Sequence, residues 1–269
     1  MPAMLSSSDM RHFVEFACRL ADSTGAILRA HRSDNGSEAI NFQTKSDLSP
    51  VTELDRRLEA LMREMIEERF PEHGILGEEF APKDVSAELS WVIDPIDGTK
   101  QFIAGIPVYG TLISLTHHGK PVLGVIDHPA TSERWVGAAG MPTTYNGRPA
   151  RTRACPALSD ALMSCSSTEP IGDRHREAFE RVRARTKWRI YGASCYAYAR
   201  LASGQIDLSV DSGGHQQVDY CALVPVIEGA GGVITDWEGR DLTIRSGNSL
   251  IAAGDPARHA DALRLLRAA

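Results

Sequence analysis

The chain has 269 residues, long for one domain and short for two, so one large unit or two intimate halves both fit. Hydrophobic residues at 42% supply a substantial core, which excludes a disordered or purely solvated chain. A net charge of -6 argues against a nucleic-acid binder, and the basic stretch at 174–189 is so mixed with Glu and apolar residues that it reads as a solvated helix face.

From Ser8 onward Phe13, Val14, Phe16, Ala17, Leu20, Ala21 and Ile27 fall near a 3.6-residue period, which predicts a helix capped by Ser8 or Asp9. The stretch "HRSDNGSEA" (31–39) reads as a polar turn. A second helix is expected over 49–70, with Leu54, Leu58, Leu61, Met62, Met65 and Ile66 on its face and Pro71 ending it. "GILGEEF" (74–80) suggests a short strand running into an acidic turn, and 91–93 a strand stub. Segments 111–116 and 122–128 alternate as strands around the turn "HHGKP". The Asn-Gly pair of "TYNGRPA" marks a turn. In the second half, helices are expected over 174–186, 194–202 and 218–230, the last despite Pro225, and strands over 206–210 and in "GGVITDWEG". A final helix is expected over 256–268, with Asp255 as cap and Pro256 at its first position. The elements follow no strict βαβ rhythm and no repeat, so the expected class is α+β, mixed and layered.

Five cysteines, Cys18, Cys155, Cys165, Cys195 and Cys221, form no CxxC pair and are odd in number, which favours reduced, mostly buried thiols. No apolar run approaches the roughly 20 residues of a membrane span, and the first residues lack a basic region followed by an apolar one. The expectation is therefore a cytoplasmic protein with no membrane and no nucleic-acid partner.

"WVIDPIDGT" (91–99) ends an apolar run on two aspartates three residues apart. Two close carboxylates repel and lose hydration on burial, so something must compensate. Hard divalent cations such as Mg²⁺ need several oxygen ligands. Carboxylates next to apolar segments recur at Glu78 and Glu79, at Asp94 and Asp97, and at Asp219. Pro95 stiffens the backbone between the aspartates, Gly98 lets the chain turn past a ligand, and Thr99 supplies a hydroxyl. An isolated Asp-x-x-Asp or Gly-Glu-Glu is commonly just a solvated acidic turn; their conjunction points to metal.

These residues resemble the inositol monophosphatase family of Mg²⁺-dependent, Li⁺-sensitive phosphatases. "WVIDPIDGT" matches one signature, and "VDYCALVPVIEGAGGVITD" (218–236) resembles the second. Gly77-Glu78-Glu79 and "VTELD" (51–55) add two more elements in family order, so the likeness spans roughly residues 45–240. The resemblance implies one layered αβαβα sugar-phosphatase unit over 1–269, with an N-terminal metal-binding half to about residue 150 and a C-terminal half from 151. It implies two to three Mg²⁺ ions, a homodimer and a small phosphate-ester substrate. Glu78, Asp94 and the carbonyl of Ile96 would hold one ion. Asp94, Asp97 and Asp219 would hold a second, and Glu78 a third. Thr99 and Asp55, with Glu78, would orient and deprotonate the attacking water, and Gly98 and Thr99 N–H groups would bind phosphate.

Within the family, "DGTKQFIAGIPVYGTLISL", "ERWVGAAG" and residues 202–239 look like the histidinol-phosphate phosphatase branch, and Val218 stands where the inositol branch usually has Trp. Two features depart from that branch. Ala193 and Ser194 replace an expected Gly-Asp, removing a carboxylate that would face a cationic substrate. "SGGHQQV" (212–218) separates Asp211 from Asp219 by one more residue than expected. Ser194, Asp211 and His215 are the pocket candidates. His215 could equally be a surface-loop histidine, and Ser194 a helix N-cap, a pocket residue, or both. His117 and His118 read as solvated turn residues, Cys195 and Cys221 as core, and Trp237 as a packing anchor. The expected activity is Mg²⁺-dependent hydrolysis of histidinol phosphate. The alternatives are a broad inositol monophosphatase, a fructose-1,6-bisphosphatase or nucleotide 3'-phosphatase and, in another class, a regulatory interaction protein with residual hydrolysis.

Overall fold

The computed structural model describes residues 5–35, 40–45 and 50–268. In chain order the elements are α1 (Ser7–Asn35), β1 (Gln43–Thr44), β2 (Pro50–Val51), α2 (Glu53–Arg69), β3 (Gly74–Gly77), β4 (Leu89–Asp97), α3 (Thr99–Ile103), β5 (Gly110–His117), β6 (Lys120–His128), β7 (Glu133–Ala138), β8 (Met141–Tyr145) and β9 (Arg148–Pro149). Then follow β10 (Leu162–Cys165), α4 (Asp173–Arg183), β11 (Trp188–Tyr191), α5 (Ser194–Ala202), β12 (Leu208–Ser212), α6 (Gln217–Tyr220), α7 (Leu223–Gly229), β13 (Val233–Thr235), β14 (Ser249–Ala253) and α8 (Pro256–Arg267).

Strands β3 to β9 form a seven-stranded sheet in sequence order, parallel only at β3–β4. A five-stranded sheet has the order β11-β10-β12-β14-β13, parallel across its first three strands. Alternation along the strands divides the core into layers. Trp91, Ile93, Ile113, Leu115, Leu123 and Val125 face α1 and α2 through Phe13, Phe16, Leu20, Met62 and Ile66. Val92, Leu112, Ile126 and Trp135 face the opposite way, toward α5, α6 and α7, which also cover Leu250 and Ala252 of the second sheet. The far face of that sheet, with Met163, Leu208, Val210, Ile251 and Ala253, packs on α4 and α8. The sequence-based expectation of an αβαβα layering is met.

Several boundaries differ from expectation. Helix α1 continues through Asn35, because nothing between His31 and Asn35 breaks a helix; residues 36–39 of the expected turn lie outside the described residues. Helix α2 starts at Glu53 rather than 49, a position itself outside the described residues. Thr52 caps it in a reciprocal box: Asp55 N donates to Thr52 Oγ1, and Thr52 N donates to Asp55 Oδ2 at 2.8 Å. The stub at 91–93 is part of a nine-residue strand that carries both aspartates. The single helix expected over 218–230 is two, α6 and α7, broken at Cys221–Ala222. The break puts Pro225 in the first turn of α7, where its missing N–H is not needed. The sheet surface beneath α7 is cut away: a Cβ on Gly124 would stand 2.0 Å from the carbonyl oxygen of Ala222, and one on Gly137 2.3 Å from that of Pro225. These glycines let the α6–α7 backbone press onto the sheet, which brings Asp219 to the end of β4.

Candidate active site

Residues three apart on a regular strand point to opposite faces. Asp94 pairs with Leu112 and Asp97 with Gly110, so β4 spends three residues where β5 spends two. This bulge at Pro95–Ile96 restores the phase and turns both carboxylates the same way. Pro95 lacks a ladder donor and sits where none is required, while its carbonyl accepts the Thr111 hydroxyl at 2.8 Å. Asp94 Oδ1 accepts Ile96 N–H at 2.9 Å. Asp97 Oδ2 accepts the Cys195 N–H at the start of α5 at 2.7 Å. Asp219 Oδ2 accepts Gln216 N–H at 2.6 Å in a second capping box.

One oxygen from each of Asp94, Asp97 and Asp219 lies within 4.8 Å of the others. Burial raises all three above the ordinary carboxylate range, Asp219 to about 7, and the neighbouring carboxylates, Glu78 among them, push the same way. Glu78 stands outside this triad but lines the same cavity, and Lys45 Nζ bridges it at 2.8 Å and Glu79 at 2.6 Å. An all-oxygen donor set, with Asp94 buried, Asp97 and Asp219 half-buried and all three mutually repelling, fits a hard divalent cation.

Asp97 and Asp219 of the triad line a cavity of about 980 Å³ together with Glu78, Gly98, Thr99, Ser194 and His215, whereas the buried Asp94 is not part of its lining. Gly98, at φ +85°, turns the chain from β4 into α3; a Cβ there would come within 3.2 Å of Ser194 Oγ. Ser194 is the first residue of α5, with Ala193 at the cap position and no side-chain cap bond, so it faces the cavity rather than capping the helix. His215 is not a surface-loop histidine. Its ring is wedged between Asp211 (Nε2 to Oδ1, 3.6 Å) and Asp219 (Nδ1 to Oδ2, 3.9 Å). Burial lowers its basicity, but Asp211 outweighs this and raises it to about 9. Asp211 itself does not line the cavity. It lies behind His215, accepting Tyr198 Oη–H at 2.6 Å and Ser166 N–H at 2.7 Å. The expected pairing of Asp55 with Thr99 is not formed: Asp55 is held by Thr52, and the Thr99 hydroxyl donates to the Ile96 carbonyl at 3.1 Å.

Sequence reasoning missed Glu59. This fully buried residue of α2 accepts Glu79 N–H at 2.6 Å and Phe80 N–H at 3.3 Å, and so fixes the acidic turn that carries Glu78. Its i,i+4 pair with Arg63, at 2.8 Å, reads in the sequence as a surface ion pair, which hides it. Lys45, just after β1 and paired with Glu78 and Glu79, carried no motif either.

Mutually close carboxylates from β4 and α6, meeting at the wall of a cavity, define the kind of site at which metal-dependent phosphoryl-transfer enzymes work. The chain belongs to the inositol monophosphatase family, whose model matches residues 9–269. It is 43% identical over 274 residues to the bifunctional phosphatase IMPL2, chloroplastic, of Arabidopsis thaliana, covering 98% of this chain and 78% of that one. It is 33% identical to a histidinol-phosphatase of Chlorobaculum parvum, covering 90% of this chain and 92% of that protein. The solved structure of an inositol monophosphatase from Zymomonas mobilis superposes with a TM-score of 0.87 at 39% identity, covering 98% of this chain and all of that one. The chain is thus a phosphatase of a metal-dependent family that hydrolyses small phosphate monoesters. Among the described residues, no helix is long and apolar enough to cross a membrane.

Proposed function

We propose that this enzyme hydrolyses histidinol phosphate to histidinol with Mg²⁺ by direct attack of water. The observation that carries the reading is the convergence of Asp94, Asp97 and Asp219 within 4.8 Å at the edge of a cavity large enough for a small phosphate ester. Asp94, Asp97, Asp219, Glu78 and the Ile96 carbonyl would hold the ions. When bound, such ions neutralise phosphoryl charge and acidify water. The chain does the rest. The Thr99 hydroxyl donates to Ile96, which leaves its oxygen lone pair free to accept a hydrogen bond from the attacking water and orient it. Glu78 faces the same space as the proton acceptor. Asp55 acts through the cap that pins the start of α2. The Gly98 and Thr99 N–H groups at the start of α3 bind the phosphate. His215, held from behind by Asp211, gives the substrate a ring partner, and the Ser194 hydroxyl stands beside Gly98.

The branch assignment draws on the histidinol-phosphatase names among the relatives. The acid missing at Ser194 has a substitute: Glu169, on the rim of the same cavity, is among the described residues the one carboxylate in its lining besides Glu78, Asp97 and Asp219. Its pairing with Lys100 is long, at 3.9 Å, and exchangeable for a substrate ammonium. The loss of the acid at Ser194 favours a second reading, a neutral polyol such as inositol 1-phosphate, in line with the name of the Zymomonas mobilis structure. Phosphate release from histidinol phosphate, inositol 1-phosphate, fructose 1,6-bisphosphate and adenosine 3',5'-bisphosphate, with Mg²⁺ and with Mg²⁺ plus Li⁺, tests both. The expected result is a preference for histidinol phosphate, suppression by Li⁺, and a KM for that substrate raised about tenfold by Glu169→Gln, as befits one charged contact. A preference for inositol 1-phosphate that Glu169→Gln leaves untouched establishes the second reading, and no release from any ester refutes both. The resemblance also carries a homodimer and a cytoplasmic location; light scattering on the purified chain tests the first.

A further inference from the structure

Two successive residues of a strand normally point to opposite faces. His117 and His118 instead bring their rings together, with centroids 4.4 Å apart. His118 leaves the strand at φ +49°, and this left-handed turn swings its side chain back beside that of His117. Glu88, immediately before β4, completes the group. Its Oε1 is 3.1 Å from His117 Nε2 and 4.0 Å from His118 Nε2. One donor atom from each residue lies within 4.8 Å of the others.

The frame around the three is fixed. His118 N–H donates to the Glu88 carbonyl at 2.8 Å, and Ile244 N–H to the Gly119 carbonyl at 3.0 Å, which ties the hairpin tip to a loop of the second half. The side chain of His117 is only 11% exposed, whereas those of His118 and Glu88 are 49% and 66% exposed. One ligand is anchored, two can adjust, and the outer side is open to water. Tetrahedral zinc, with bonds of about 2.0–2.1 Å, sets its ligands roughly 3.3 Å apart. Closing from 4.8 Å or less requires only small rotations of the two exposed side chains.

We propose that Glu88, His117 and His118 form a second metal site, for a borderline divalent cation such as Zn²⁺ with water as the fourth ligand. Two imidazoles and a carboxylate select zinc, copper or nickel, whereas the all-oxygen cavity suits magnesium. The two sites are independent. Asp97 pairs at the Gly110 end of β5 and His117 is at the other end, seven residues on, which is about 23 Å of strand.

The test is equilibrium dialysis of the full chain against Zn²⁺, with Mg²⁺ in excess, for the wild type, His117→Gln and His118→Asn. Asn accepts the left-handed conformation, so the turn survives its substitution. The readout is the difference between wild type and variants, which zinc entering the acidic cavity does not alter. The wild type is expected to bind one zinc ion per chain more than either variant. Losing a direct ligand should weaken that site by more than the roughly 10–100-fold typical of outer-shell changes. Cu²⁺ bound to the wild type should show nitrogen splitting in its electron paramagnetic resonance spectrum that His118→Asn reduces, while Mg²⁺-dependent turnover stays within twofold. Equal zinc uptake by wild type and both variants, or none by the wild type, overturns the assignment and leaves the group as a hydrogen-bonded pair beside a solvated ring.

Discussion

Asp97→Asn keeps the size of the side chain and removes one charge from the triad. Its amide oxygen still accepts the Cys195 N–H that Asp97 holds at 2.7 Å, so the fold has no reason to rearrange. In the metal-free protein the substitution should stabilise. Two carboxylates no more than 4.8 Å apart repel by at least about 3.5 kcal/mol at an effective dielectric constant of 20. Protonation relieves part of this, because burial and mutual repulsion raise all three groups, Asp219 to about 7. A gain of about 1–2 kcal/mol remains, or roughly 2–8 °C in Tm for a chain of this size. The pH dependence follows from the direction of the shifts. A carboxylate whose pKa is raised by folding favours the folded state below its unfolded pKa, and that advantage is lost as pH rises through the folded value. The stabilisation by Asp97→Asn should therefore be small near pH 5 and greatest above pH 7. With Mg²⁺ present the order reverses: the wild type gains more from the ion, and the variant loses turnover on the order of a hundredfold or more. Thermal melts in EDTA and in Mg²⁺, each at both pH values, together with phosphate release, make the measurement. Full activity in the variant, or a metal-free variant less stable than the wild type at pH 8, would refute the assignment of Asp97 to a mutually repelling metal triad.

Glu59→Ala leaves the Glu79 and Phe80 N–H groups without their acceptor and should cost about 2–4 kcal/mol in denaturant unfolding. It should also weaken Mg²⁺ activation by loosening the turn that carries Glu78; an unchanged Mg²⁺ dependence would confine Glu59 to stability. Gly124→Ala forces a Cβ against the Ala222 carbonyl at 2.0 Å, so it should cost about 1–3 kcal/mol and lower turnover by shifting Asp219. Wild-type stability and rate in that variant would show that α7 does not need its close seat on the sheet.

Much of the architecture was legible because it is local. The periodicity of α1, the small-residue run of α5 and the Asp255–Pro256 start of α8 each follow from neighbouring residues; β5 and β6, buried on both faces, were legible from the turn that separates them. The acids Asp94, Asp97 and Asp219 were legible for a different reason: closely spaced charges beside apolar runs are costly without a cation, and their order resembled a known family. Strands β10 and β14 were not anticipated, because they are buried on both faces and carry no alternation. Edge strand β11 was missed because it is mostly exposed.

Only the tertiary structure decided the rest. The bulge that turns Asp94 and Asp97 to one side depends on pairing with β5. The division of α6 from α7 is consistent with Pro225, but the depth at which they sit is set by Gly124 and Gly137 on a distant sheet. Glu59 looks like half of a surface pair until Glu79 folds over it. Asp211 withdraws behind His215 because Tyr198 and Ser166 claim its oxygens. A side chain's partner in three dimensions is chosen by packing between elements far apart in the chain, and sequence spacing carries no record of that choice. The residue types needed for phosphate-ester chemistry are therefore set by the sequence, whereas which of them face the cavity, and which only hold others in place, is set by the fold.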